Sequence, residues 1–148
     1  MRTVQYSLDN KTKAFNIVSP DTLVIDALNF LNSINLSYLI VMDGEEYKGI
    51  FSERDYSRNV ILKGRASSST TVQDVMTTDL PIVETTDTAE LCMNLINTFK
   101  TRYLLAYDNA GKFAGVITIH DLLRQVINQK EEAFNTTLAQ ELLHDSIY

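Results

Sequence analysis

One phrase occurs twice in this chain and limits its fold more than any other feature. Gly49-Ile50-Phe51-Ser52-Glu53-Arg54-Asp55 returns as Gly115-Val116-Ile117-Thr118-Ile119-His120-Asp121: a glycine, an apolar pair, a hydroxyl, two variable residues and an aspartate. Each copy reads as a short strand that ends in a turn, with a helix starting at or just after the aspartate. The helical continuation also keeps step, with Arg58 against Arg124, Val60 against Val126 and Ile61 against Ile127. A phrase repeated inside a repeated frame implies a duplicated unit.

The frame can be followed residue by residue. A strand is expected over Phe15 to Val18, closed by Ser19-Pro20-Asp21-Thr22, with Asp21 or Thr22 capping the next helix. Leu23, Ala27, Leu28, Phe30, Leu31 and Ile34 fall at helical spacing on one buried face. Leu36 to Met42 is apolar without alternation, the pattern of an internal strand. A turn leads to a return strand over Tyr47 to Phe51, and the following helix stops at Gly64. The pattern then restarts with Ile82-Val83, a helix capped by Asp87 that carries Leu91, Cys92, Leu95, Ile96 and Phe99, an internal strand Tyr103 to Tyr107, and a return strand Phe113 to Thr118. Val18/Val83, Asn29/Asn94, Tyr38/Tyr103 and Asp43/Asp108 lie 65 residues apart, and Gly49/Gly115 and Asp55/Asp121 lie 66 apart. The extra residue sits in a turn, where an insertion costs least.

Each copy is therefore β-α-β-β-α, too small to bury a comfortable core alone. The expected architecture is α+β, with two such repeats packed about a pseudo-twofold axis. Repeat 1 with a polar N-terminal extension spans 1–64, a Ser/Thr-rich linker 65–71, repeat 2 spans 72–128, and a helical tail 129–148.

Composition removes several functions. A net charge of -6 disfavours a nucleic-acid binder, which would show a basic stripe. The apolar runs are too short for a membrane span, and the N-terminus lacks the apolar core of a secretory signal, so a cytoplasmic protein is expected. The single cysteine, Cys92, lies on an apolar helix face and reads as a small buried hydrophobe. No metal-ligand spacing, paired-carboxylate or Ser-His-Asp pattern emerges, so neither an enzyme nor a required cofactor is expected.

The doubled Gly-apolar-apolar-hydroxyl-x-x-Asp phrase resembles CBS domains, named for cystathionine beta-synthase, in the tandem called a Bateman module. The resemblance covers about residues 8–128. Ser52 to Tyr56, Lys63-Gly64-Arg65 and Val72 to Thr77 are especially similar to small stand-alone bacterial CBS-pair proteins. The resemblance implies a sensor of adenosyl ligands such as AMP, ADP, ATP, NAD or S-adenosylmethionine. It also implies a homodimer and a regulated partner protein.

Carried over by position, the resemblance places ribose-binding carboxylates at Asp55 and Asp121, and hydroxyls that meet ribose or phosphate at Ser52 and Thr118. The Asp55 cleft would be walled by Met76, Thr77, Pro81, Arg102 and Tyr103, and the Asp121 cleft by Asn16, Ile17, Leu36, Ser37 and Tyr38. Arg54 would add a donor fork for phosphate, and His120 replaces it in the second copy. Tyr38 stands where a small residue is common, and its ring could fill the adenine slot.

This grammar suits a nucleotide for physical reasons. A carboxylate accepts charge-assisted hydrogen bonds from a cis-diol, and a helix N-terminus offers free N–H groups to phosphate. Helix capping is the competing role for each aspartate, and the two are compatible. The competing function is a ligand-free dimerisation scaffold whose clefts are closed by side chains.

Overall fold

The computed structural model describes residues 2–11, 15–129 and 143. The expected tail helix over 129–148 falls almost wholly outside them. By internal packing the chain divides into two units, Lys13–Asp79 and Met1–Thr12 with Leu80–Tyr148.

In the first of these, strand β1 (Ile17–Val18) leads through helix α2 (Val24–Ile34) to β2 (Tyr38–Asp43) and β3 (Glu46–Ser52), giving a sheet of order β1-β2-β3. β2 is central, parallel to β1 and antiparallel to β3, as its continuous apolar sequence requires. A short helical turn α3 (Glu53–Asp55) runs on as a π-helical stretch Tyr56–Ile61, in which the Leu62 amide donates to the Ser57 carbonyl at 3.1 Å. Gly64 ends it at a φ of 69°, a left-handed conformation natural to glycine. Val24, Ala27, Leu31, Leu39, Val41, Phe51 and Val60 form the core, closed by Val72 in a 3-10 turn at Val72–Asp74 and by Val75 just after it.

The second unit repeats this with β4 (Ile82–Glu84), α4 (Ala89–Phe99), β5 (Tyr103–Tyr107), β6 (Phe113–Thr118) and α5 (Ile119–Gln129), its sheet ordered β4-β5-β6. Its core is the first one in register: Ala89, Cys92, Ile96, Leu104, Ala106 and Ile117 stand where Val24, Ala27, Leu31, Leu39, Val41 and Phe51 stand. Cys92 is fully buried, and burial pushes its thiol up to about 11, so it is packing rather than a nucleophile.

The polar N-terminal stretch is not an idle extension. It forms helix α1 (Val4–Asn10), capped by the Thr3 side chain, and Val4 lies in the core of the second unit. Residues 2–8 do there what residues 70–76 do in the first. The Val72 amide donates to Thr22 O at 2.8 Å and the Gln73 amide to Pro20 O at 3.2 Å; the Val4 amide donates to Asp87 O and the Gln5 amide to Thr85 O, both at 2.9 Å. The Val24 amide donates to Thr70 O at 2.8 Å, and the Ala89 amide to Arg2 O at 3.1 Å.

The same contacts correct the expected helix caps. The residue preceding α2 is Leu23, and neither Asp21 nor Thr22 caps it, because the first free amides of α2 go to the Thr70 and Ser67 carbonyls. The cap of α4 is Thr88, whose side chain accepts from the Leu91 amide, while Asp87 turns back to accept from the Glu84 amide.

Candidate functional site

The first carboxylate is placed by a strand edge. The Ile50 amide donates to Thr77 O at 2.9 Å and the Thr77 amide to Ile50 O at 2.8 Å, so Thr77 lies against β3. Gly49 makes this approach fit: a Cβ there would stand 2.6 Å from Met76 Sδ and 2.9 Å from Thr77 O. Gly49→Ala is therefore expected to cost about 2 kcal/mol, an overpacking penalty in which the Thr77 backbone cannot yield. A urea midpoint equal to that of the parent would refute the close fit.

So seated, Thr77 donates its hydroxyl to Asp55 Oδ1 at 2.6 Å. Asp55 Oδ2 accepts from the Ser52 amide at 2.8 Å and from Ser52 Oγ at 3.0 Å, and the Asp55 amide approaches Ser52 Oγ at 3.4 Å. This is a capping box, so the capping role is real. Burial pushes the Asp55 carboxyl above the ordinary aspartate range, opposed by the hydrogen bonds from Thr77 and Ser52 and by the charge of Arg54.

The second carboxylate is built alike and furnished differently. Asp121 Oδ2 accepts from the Thr118 amide at 2.9 Å, and the Asp121 amide donates to Thr118 Oγ1 at 3.2 Å. A lysine stands beside it. Lys11 Nζ lies 2.9 Å from Asp121 Oδ2 and 3.0 Å from Val116 O, and Arg124 Nη1 lies 4.0 Å from Asp121 Oδ1.

The remaining expected residues fall as follows. Tyr38 pairs across its sheet with Ser52, and Tyr103 with Thr118, so each tyrosine starts the strand beside its own unit's hydroxyl. Asn16 is buried, with Nδ2 donating to Tyr38 O at 3.2 Å, while Ile17 is 57% exposed on β1. Leu36 is half-buried and Ser37 exposed on the approach to β2. Met76 packs partly against the first core, and Arg54 is exposed. Pro81 and Arg102 are half-buried; their carbonyls accept from the Leu105 and Ile119 amides at 3.0 and 3.1 Å. His120 is half-buried in the first turn of α5. Within the units, the structure thus gathers Ser52, Asp55 and Thr77 in one place, and Thr118 and Asp121 in the other.

Lys11 escaped the sequence reading. The missed signal was Thr3-Val4-Gln5, which repeats as Thr71-Val72-Gln73 at a spacing of 68 and assigns residues 2–11 to the second unit.

The model of the CBS domain matches residues 11–61 and 72–128. The chain belongs to the CBS-domain family. It is similar to the mitochondrial CBS domain-containing protein CBSX3 of Arabidopsis thaliana, with 31% identity over 117 residues. Those residues are 76% of this chain and 56% of the plant protein, so the chain spans little more than half of that relative. A solved CBS-domain protein of Burkholderia ambifaria MC40-6 aligns with a TM-score of 0.78 and 32% identity, covering 90% of this chain and 98% of the other. CBSX2, solved in complex with AMP, aligns with a TM-score of 0.67 and 26% identity over 86% and 98% of the two chains. Two CBS repeats account for the doubled sheets and doubled turns, and mark the chain as a CBS regulatory module. Among the described residues, no helix is long and apolar enough to cross a membrane.

Proposed function

We propose that this CBS pair is a non-catalytic sensor. It holds an adenosyl nucleotide (AMP, ADP, ATP, NAD or S-adenosylmethionine) through the Asp55 and Asp121 turns, acts as a homodimer in the cytoplasm, and passes the occupied state to a partner protein. One observation carries this reading: the same turn is built twice, each with a buried aspartate fixed by a strand-end hydroxyl residue at a helix start. An ionised aspartate in that position accepts from ribose hydroxyls more strongly than a neutral group. The AMP complex of CBSX2 supports the ligand class. A ligand shifts the module's states only by its differential affinity for them.

Isothermal titration of the five compounds is the test. At least one is expected to bind at millimolar or tighter, where binding is worth roughly 4 kcal/mol or more. Failure of all five would remove the sensing claim.

The occupancy of Asp55 favours a second reading, since Oδ2 accepts two hydrogen bonds and Oδ1 one within the chain, leaving one of about four acceptor sites open. That reading is a ligand-free dimerisation scaffold. It predicts no nucleotide-dependent rise in melting temperature, whereas linkage demands one for a true ligand.

A further inference from the structure

The two turns match in their acid, hydroxyl and downstream arginine, yet the segments laid against them differ in charge. Asp55 Oδ1 receives the neutral hydroxyl of Thr77, whereas Asp121 Oδ2 receives the ammonium of Lys11. By the 68-residue register that pairs Val4 with Val72, Lys11 stands where the first unit has Asp79, an exposed acid.

The helix that leads into the lysine is anchored on the second unit. Val4 is buried in the core, Leu8 packs over Gly115, and the Ser7 hydroxyl donates to Gln125 Oε1 at 2.6 Å in a buried contact. An ammonium carries three N–H donors. Two of those of Lys11 go to Asp121 Oδ2 and Val116 O, and its side chain remains 23% exposed. Arg124, 61% exposed, stands on the other carboxylate oxygen at 4.0 Å, beyond a hydrogen bond. Two cations thus surround one acid. At Asp55 no cation comes within ion-pair distance among the described residues.

We propose that Lys11 makes the Asp121 turn selective for the phosphorylated ribonucleotide over the uncharged nucleoside: its third donor meets a phosphate oxygen while Asp121 Oδ1 accepts from the sugar. This rests on the reading that the turns hold adenosyl ligands, and it adds a specificity-determining residue to one of them. The segment laid against the Asp55 turn brings only the neutral Thr77 hydroxyl to its acid, so the Lys11 contact belongs to the Asp121 turn alone.

The experiment titrates AMP and adenosine separately into the full chain and into its Lys11→Met and Lys11→Arg variants, with melting curves to show that each is folded. The ratio of the two affinities is the readout, because a merely structural lysine moves both ligands together. The parent is expected to prefer AMP by about tenfold, the scale of one charge-assisted hydrogen bond. Lys11→Met is expected to bring the ratio close to unity, and Lys11→Arg to restore most of it. An unchanged ratio in a folded Lys11→Met variant overturns the assignment, as does tighter AMP binding, which would make Lys11 a plug on Asp121. If the parent binds neither compound, the sensor reading itself falls, a result visible before any variant is made.

Discussion

Deleting residues 2–11 is expected to destabilise the second unit by about 4 kcal/mol or more. Burial of Val4 alone contributes roughly 2 kcal/mol, and Leu8 adds its contact over Gly115. The rest comes from groups left stranded. Asp87 O and Thr85 O lose the amides of Val4 and Gln5, the Ala89 amide loses Arg2 O, and buried Gln125 Oε1 loses the Ser7 hydroxyl. A buried polar group without its partner costs on the order of 1–3 kcal/mol. Hydrogen exchange locates the damage: protection at Leu104, Ala106 and Ile117 should fall much further than at Leu39, Val41 and Phe51. A truncated chain with the parent's urea midpoint would mean that α1 is an appendage after all.

The contrast between what the sequence reveals and what it hides follows from the length of each signal. The strands and turns were legible because each repeat carries an apolar run flanked by Gly and Asp, and because the 65- and 66-residue spacings align them. Helix α1 was not, since in seven residues it carries only Val4 and Leu8 toward a core, too few for a helical period to show. Its role is betrayed by a three-residue echo, Thr3-Val4-Gln5 against Thr71-Val72-Gln73. The cap assignments failed for a related reason. Side-chain capping rules describe a helix end facing water, whereas the start of α2 meets backbone carbonyls from residues distant in sequence. Helix α4 does take a side-chain cap, but one residue later, at Thr88, because Asp87 is engaged with the Glu84 amide. The hydroxyl and acid of each turn were readable because local spacing sets them; Lys11 and the Thr77 contact with Asp55 depend on pairing that no local pattern encodes.

Asp55→Asn should separate stability from binding. The Asp55 carboxylate is buried with only neutral donors in direct contact, and its ionisation is opposed by desolvation. A folded-state pKa raised above the unfolded value gives a definite sign. The group's favourable contribution is complete below the unfolded pKa and is lost as pH rises through the folded one. At pH 7 the ionised group therefore costs stability relative to a neutral isostere. Asparagine fits the turn, with Oδ1 accepting from the Ser52 amide and Nδ2 donating to Thr77 Oγ1. The variant should melt at or above the parent temperature at pH 7, and that advantage should shrink as the pH falls through the carboxyl's titration range. Asp55→Ala, which strips the turn's acceptor, should instead lose about 1 kcal/mol. Affinity should move the other way. Exchanging a charged acceptor for a neutral one against the ribose hydroxyls should weaken adenosyl binding at this turn about tenfold. If Asp55→Asn melts as low as Asp55→Ala, the burial argument is wrong; if nucleotide titrations do not distinguish it from the parent, Asp55 is a cap and nothing more.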